Sequence, residues 1–488
     1  MTAGARPASE AVAHTHFVGI GGYGMSALAE LLHRRGERVN GCDARPNART
    51  ARLAALGVEV LHGHDVRHLE GVERLVYSTD VPADLPERVE AVRRGVASVH
   101  RSEILALAMG GAFAVAVTGT HGKTTTTALT THLLAAAGLD PTGIVGGELD
   151  AWGGGLRLGR ADLVVAEADE SDGSFLRYHP DVAVVTNVEA EHLEHYGGSF
   201  ARVREAYAHF LAGVAPGGRR IVWADDPLAL AATAGLTDVR RYGEAPEAEV
   251  RALDVVLDAA GSTFRVLRDG CDLGPVRLAL PGRHNVHNAL AAIEAALSAG
   301  GAFPAFVPAL SSFRNAHRRF EVLFAGALGR VVDDYAHHPS EIRAGIGAAR
   351  ALAPGRLCVA FQPQRYSRTR ALWDDFAGAF ADAEEVVLLD IYAPAGERPL
   401  DGVSGSALAA AVRERRGNAR FAPTPDEAAE LVLSLWRPGD LWLFMGAGDV
   451  WRAARAVAAR LGEAEASGAT APAGTASPPS GIARPGTL

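Results

Sequence analysis

Cysteine is nearly absent: Cys42, Cys271 and Cys358 are the only three in 488 residues. Their odd number and wide spacing suggest neither a disulfide framework nor a zinc site, and they fit a reducing cytoplasm. Long apolar runs are missing too. The longest, from Ile104 to Val117, is broken by glycines and falls short of the roughly 20 residues a membrane-spanning helix needs. The opening residues, MTAGARPASEAVAH, hold no apolar stretch of the secretory type. No export signal or membrane insertion is therefore expected, and the expected location is cytoplasmic. A basic excess is also lacking, since 48 Lys and Arg stand against 57 Asp and Glu for a net charge of -9. That balance argues against nonspecific nucleic-acid binding and requires any polyanionic substrate to be met by local cations, helix ends or metal. What remains, 48% hydrophobic and 22% charged residues, is the composition of a soluble globular chain too long for one core, so two to four domains are expected.

The stretch FAVAVTGTHGKTTTT, residues 113–127, organises the rest. Val115 to Val117 reads as a buried strand that breaks at Gly119 into a loop, and Gly122, Lys123 and Thr124 open a threonine-rich helix. Glycines let backbone N–H groups approach an anion, the helix N-terminus adds positive potential, Lys123 supplies charge to β/γ phosphates, and the Thr124 hydroxyl can ligate Mg2+. The loop is shorter than the usual G-x-x-x-x-G-K-[ST], whose first glycine would fall on Val117.

Upstream, HFVGIGGYG is a short strand followed by G-x-G-x-x-G at Gly19, Gly21 and Gly24, then a helix. A second strand ends on Asp43, about where an acidic residue meets a ribose hydroxyl in dinucleotide folds, so NAD is one candidate ligand and a tight helix-packing turn is the plain alternative. Alternating units continue to about residue 108, with His64, Ser78 and Thr79 at predicted strand ends. Downstream of the phosphate loop, one strand delivers Glu167 and Asp169 and the next delivers Asn187, Glu189, Glu191 and His192. In a parallel sheet these ends share an edge, so Lys123, Thr124, Glu167 and His192 are expected to converge; oxygen ligands suit Mg2+, and histidine is the less usual partner. His284, Asn285 and Asn288 open an alanine-rich helix, where an amide either reads a base edge or caps the helix. From His317 a third alternating unit carries the polar loops DDYAHHPSE, FQPQRYSRTR, DIYAPAGE and GAGD, with Arg365, Arg368 and Arg370 suited to carboxylate or phosphate. The expected divisions are 1–108, 109–316 and 317–462. A disordered tail rich in Ala, Gly, Ser and Pro is expected over 463–488.

Taken in order, HFVGIGGYGMS, GTHGKTTT, EADESDGSF, TNVEAEHLEHY, GRHNVHNA, RRFE, DDYAHHP, FQPQRYSR, YAPAGE and GAGD resemble the motifs of the Mur ligases over roughly residues 14 to 460. ADESDGSF and the first glycine loop look like the alanine-adding branch and less like the murein tripeptide ligase. The resemblance implies an α/β fold of three domains: a Rossmann-like N-terminal domain, a central P-loop ATPase-type domain and a C-terminal Rossmann-like domain. It implies ATP-dependent joining of L-alanine to the lactyl carboxylate of UDP-N-acetylmuramate through an acyl phosphate, with Mg2+, in peptidoglycan precursor synthesis. UDP-N-acetylmuramate, not NAD, would lie over Gly21, Gly22, Gly24 and Met25, with Asp43, His64 and Ser78 towards its uridine end. ATP would meet Gly119, Thr120, His121, Gly122, Lys123, Thr124 and Thr125, with His284, Asn285, Asn288 and Arg318. Metal would be held by Thr124, Glu167 and His192, and the amino acid by Tyr335, His337, Arg365 and Arg368. Lys123, Glu167, His192, His337 and Arg365 would carry the catalysis. Two departures stand out: Gln364 where the family usually has histidine, and Glu191 where it has aspartate. A nicotinamide-dependent dehydrogenase and a non-catalytic ATP-gated regulator are the readings from other classes.

Overall fold

A computed structural model of the chain describes residues 13–258, 260–352, 354–393 and 397–468. Among these residues the strands form three sheets, and helices join the parallel strands. The first sheet comprises β1 (His14–Val18), β2 (Arg38–Asp43), β3 (Glu59–His62), β4 (Arg74–Tyr77) and β5 (Ala97–His100), in the order β3-β2-β1-β4-β5. All its pairings are parallel, so the chain reverses its winding direction beside β1. The crevice beyond the C-terminal end of β1 is where such sheets take ligands, and there the glycine loop leads into the helix Tyr23–Arg34.

The second sheet contains β6 (Phe113–Thr118), β7 (Pro141–Leu149), β8 (Gly154–Arg157), β9 (Arg160–Glu167), β10 (Val182–Val185), β11 (Arg219–Trp223), β12 (Val239–Gly243), β13 (Val250–Asp258), β14 (Gly261–Arg268) and β15 (Cys271–Leu278). Its order is β15-β14-β13-β12-β11-β10-β6-β9-β7-β8. β6 is central and buried on both faces, which is why FAVAVT reads as a continuous apolar run instead of an alternating one. It runs parallel to both neighbours, with Val117 opposite Glu167 of β9 and Thr118 opposite Val185 of β10.

The third sheet contains β16 (Glu321–Gly326), β17 (Gly329–Asp334), β18 (Leu357–Phe361), β19 (Glu385–Leu388), β20 (Ala419–Phe421) and β21 (Asp440–Met445), ordered β16-β17-β21-β18-β19-β20. Only β16 runs antiparallel to its neighbour. The chain divides into two compact units, one holding the first two sheets and reaching His317, the other holding the third sheet from Arg318. His317 belongs to the first unit: its N–H donates to the Glu148 carbonyl at 2.8 Å and its Nε2 lies 2.7 Å from Asp150 Oδ1.

The last helix, Trp451–Ala466, runs past Glu463, where a disordered tail was expected to begin. Val457, Leu461 and Ala464 continue one buried stripe, and the Glu465 carboxylate accepts the Ala327 N–H at 2.8 Å beside the β16–β17 turn. Residues 469–488 of the expected tail lie outside the described residues.

Candidate functional site

The loop between β6 and the helix Lys123–Ala136 is shaped by close approaches. Gly119 has φ +135° and Gly122 has φ +82°, a region that side chains disfavour. A Cβ at Gly119 would collide with Thr186, and one at Gly122 with the Asn288 amide. The segment leaving β10 clasps the loop. Asn187 accepts the N–H groups of Thr120 (3.0 Å) and His121 (2.9 Å), and the Thr120 hydroxyl accepts the Glu189 N–H at 2.8 Å.

Lys123 Nζ donates to the carbonyls of Gly119 (2.6 Å) and Thr120 (3.1 Å) and to Glu170 Oε1 (3.0 Å). Burial opposes its charge, but Glu170, Asp169 and Glu167 outweigh that cost and hold the ammonium above the usual lysine range. Burial pushes Glu170 up to about 7 against the pull of Lys123. Burial also works against ionised Asp169, yet Arg101 and Lys123 keep it well below the usual carboxylate range. Arg101 Nη2 donates to Asp169 Oδ2 at 2.7 Å, while its Nη1 lies 3.3 Å from where a Cβ of Gly24 would stand. One guanidinium therefore touches both the first glycine loop and the acidic segment beside the phosphate loop.

Thr124 and Glu167 come together as expected, with the hydroxyl donating to Glu167 Oε2 at 2.9 Å; the same oxygen accepts the Gly146 N–H at 2.8 Å. His192 follows β10 with φ +54°, its Nε2 3.7 Å from Glu191 Oε2. Among the described residues, the groups of three His, Cys, Asp or Glu ligand atoms within 4.8 Å of one another include neither Glu167 nor His192. Asn285 and Asn288 lie buried inside the helix Arg283–Ser298. Asn288 Nδ2 donates to Asn285 Oδ1 at 3.2 Å, and its Oδ1 accepts the Thr126 hydroxyl at 3.4 Å, so this amide braces the phosphate-loop helix and does not cap its own. Thr125 meets Asn315 at 3.2 Å, and His284 sits in the first turn of the asparagine helix.

At the first sheet, a Cβ on Gly21 would displace the side-chain ends of Asp43, Asn47 and Thr50, which stand within 3 Å of where it would lie. Asp43 turns its carboxylate inward, accepting the N–H groups of Gly21 (2.9 Å) and Arg45 (3.1 Å). It thus shapes the glycine loop, a contact that its sequence position did not announce. Gly22 N–H closes on the Gly19 carbonyl at 3.1 Å, Met25 is buried, and Ser78 follows β4 with its carbonyl accepting the Val81 N–H at 3.0 Å. His64 Nδ1 faces Glu87 Oε1 at 3.2 Å and Cys42 Sγ at 3.6 Å.

In the second unit, β17, β21, β18 and β19 are adjacent and parallel, so the polar loops read from the sequence leave one edge of the sheet. Arg318, at φ +59°, donates to the carbonyls of Gly448 (3.0 Å) and Gly446 and to Asp333 Oδ2 (3.3 Å). Its guanidinium and that of Arg319 flank the Tyr335 ring at 5.1 and 5.0 Å. His337 Nδ1 lies 3.0 Å from the Tyr335 carbonyl, and His338 caps the helix Pro339–Arg350. Arg365 has φ +68°, and Arg368 Nη1 donates to Gln364 Oε1 at 2.7 Å. Burial raises Asp333 to about 6 and Asp334 to about 7. Sequence reasoning passed over Arg101, Glu170, Asp334 and Gln362, which bonds Asp449 at 2.7 Å and the Val450 N–H at 3.0 Å. The signals available were the acidic density of EADESD directly after an apolar strand for Glu170, and the polar loops DDYAHHPSE and FQPQRYSRTR for Asp334 and Gln362.

Comparison with known proteins follows the same divisions. Family models described as the Mur ligase family catalytic domain, the Mur ligase middle domain and the Mur ligase glutamate ligase domain match residues 14–112, 117–296 and 318–448. The chain is similar to the UDP-N-acetylmuramate–L-alanine ligase of Symbiobacterium thermophilum, with 51% identity over 478 residues covering 96% of this chain and 98% of that protein. It is similar to the enzyme of the same name from Phenylobacterium zucineum at 44% over 475 residues, covering 96% and 99%. Among solved structures it resembles a UDP-N-acetylmuramate-alanine ligase from Thermotoga maritima, with 30% identity, a TM-score of 0.78, and coverage of 92% and 99%.

Proposed function

The chain belongs to the Mur ligase family, and on that footing we propose how its residues divide the work of joining L-alanine to UDP-N-acetylmuramate at the expense of ATP. It is an ATP-dependent acid–amino-acid ligase of peptidoglycan precursor synthesis. The observation that carries the site reading is the phosphate loop, with Lys123 and the Thr124–Glu167 pair at the central strand of one sheet, and Arg101 reaching from it to the glycine loop of another.

A carboxylate does not acylate an amine at neutral pH, so the lactyl group must first be activated. Its oxygen attacks the γ-phosphorus of ATP in line, giving an acyl phosphate and ADP, and the alanine amine then displaces phosphate. Lys123 supplies fixed positive charge for the transferring group, and the loop N–H groups hold the chain of phosphates. The Thr124 hydroxyl and the Glu167 carboxylate fit Mg2+: they are hard oxygens 2.9 Å apart, about the separation of adjacent ligands in an octahedral Mg2+ shell. Thr124 and Glu167 would hold one ion and His192 with Glu167 a second, and when bound these would supply charge neutralisation at the phosphates. Tyr335, His337, Arg365 and Arg368 are assigned to the amino acid, with His337 accepting the proton from its amine, and Gly21, Gly22, Gly24, Met25, Asp43, His64 and Ser78 to the UDP-sugar. No covalent bond to the protein is needed, so positioning and electrostatics carry the rate.

Phosphate release is the test. It is expected only when ATP, UDP-N-acetylmuramate and L-alanine are all present, and release indifferent to omission of either acceptor or amino acid would refute the reading. Tripeptide offered in place of L-alanine separates the recycling enzyme from the alanine-adding one.

A further inference from the structure

We propose that the N-terminal domain holds a divalent transition-metal ion of the zinc class, bound by Cys42 Sγ, His64 Nδ1 and the Glu87 carboxylate, with His68 or water in the fourth position. The site is separate from the phosphate loop and carries no reacting atom of the ligation, but it shares His64 with the residues assigned to the UDP-sugar.

The three side chains come from different elements: Cys42 from β2, His64 from the turn after β3, and Glu87 from the helix Pro86–Arg94. Their mutual distances are 3.6 Å for Cys42 Sγ to His64 Nδ1, 3.2 Å for His64 Nδ1 to Glu87 Oε1 and 3.5 Å for Cys42 Sγ to Glu87 Oε1. Tetrahedral zinc with ordinary bond lengths to sulfur, nitrogen and oxygen has corresponding edges of about 3.6, 3.4 and 3.6 Å. The triangle is thus already the face of a zinc tetrahedron.

Hydrogen bonding alone explains the arrangement less well. Glu87 is fully buried, yet the donors crowd onto Oε1, where the Asp65 N–H also bonds at 2.9 Å, while Oε2 has no hydrogen-bond partner among the described residues. An unpaired buried carboxylate oxygen is costly. His68 Nδ1, 3.5 Å from Glu87 Oε1, likewise has none, and neither does Nε2 of fully buried His16. Cys42, His16 and His68 form a second ligand group on the same sulfur. Thiolate and carboxylate together carry the charge that a divalent ion balances, and the imidazoles bind neutral. Coordination replaces the Cys42 S–H proton, which leaves to solvent, and nothing is oxidised or reduced. A soft sulfur among nitrogen and oxygen ligands selects zinc or cobalt over magnesium. The ion would clip β2, the β3 turn and the helix together, a structural role in keeping with a closed ligand set.

The test is cobalt titration of the full chain after exhaustive chelation. One equivalent should bind with a thiolate-to-cobalt charge-transfer band in the near ultraviolet and intense visible bands of four-coordinate cobalt, and zinc should bleach both. Cys42→Ser should lose the charge-transfer band, and Cys271→Ser should keep it. His68→Asn, which spares the triad, should retain the band with altered visible intensity, so the question stays decidable if Cys42→Ser or Glu87→Gln folds poorly by circular dichroism. No charge-transfer band with excess cobalt, or a band that persists in folded Cys42→Ser, overturns the proposal. The oxygen ligands of the phosphate loop cannot produce that band, so failure here leaves the ligase reading untouched.

Discussion

Glu170→Gln should tighten ATP binding. Lys123 has three donors, and here two point to loop carbonyls and one to Glu170 Oε1 at 3.0 Å. To serve a phosphate the ammonium must give up Glu170. A hydrogen bond to a charged group is worth about 1.5–3 kcal/mol net, so removing that competitor should improve ATP affinity about tenfold to a hundredfold. The glutamine keeps the shape and an acceptor oxygen, and Asp169 stays anchored by Arg101. The sign with pH is fixed by the raised Glu170. Above about 7 the wild-type carboxylate is charged and competes; below it the group is neutral, and wild-type affinity should rise towards that of the variant. Calorimetric titration with ATP at pH 8 and pH 6, each with Mg2+ and with EDTA, reads both effects. If the variant binds ATP no tighter than wild type at pH 8 in either buffer, Glu170 is not a competitor for Lys123.

Lys123→Ala should lower turnover by orders of magnitude while UDP-N-acetylmuramate still binds, because the lysine acts on ATP phosphates and the sugar nucleotide is assigned to the first sheet; parallel turnover and ligand-binding assays check this. Asp334→Asn should flatten a pH dependence of stability. Burial raises Asp334 from 3.8 to about 7, so the folded chain holds a proton that the unfolded chain releases, and stability falls as pH rises from about 4 to 7. The full shift corresponds to about 4 kcal/mol, of which roughly 3 kcal/mol falls between pH 5 and pH 8, and the unfolding free energies of wild type and variant at those two pH values should diverge by about that much, with the wild type losing more.

What could be read in advance was whatever the chain states locally. The β6–loop–helix unit is such a case, since a buried apolar strand, two glycines in the left-handed region and a following lysine and threonine all lie within 15 residues. Thr124 meeting Glu167 required one further step, that consecutive parallel strands deliver their ends to one edge, and β9 does lie beside β6. Asp43 and Asn288 hold protein contacts that the sequence did not show, for a shared reason. Their types suit ligand contact, but which protein groups a polar side chain also bonds depends on neighbours from other segments, the Gly21 N–H in one case and the Thr126 hydroxyl in the other. Cysteine spacing likewise could not reveal the Cys42 cluster, because its partners sit on β3's turn and a helix brought together only by the order β3-β2-β1-β4. Gln364 shows the opposite lesson. Its neutral oxygen accepts from Arg368 at 2.7 Å, which a protonated histidine could not do, so this departure has a positive role in holding that arginine.

Placing the first two sheets in one compact unit bears on how acceptor and ATP would affect each other's binding. Arg101 lies against Gly24 on the glycine loop and holds Asp169, which with Glu170 sets the field around Lys123. A diphosphate over the glycine loop would draw on the same guanidinium that now neutralises Asp169. Any weakening of that bond leaves a more negative environment at Lys123, and a phosphate must then compete harder for the ammonium. On the proposed assignments, acceptor and nucleotide would therefore oppose each other's binding through one arginine and two adjacent carboxylates.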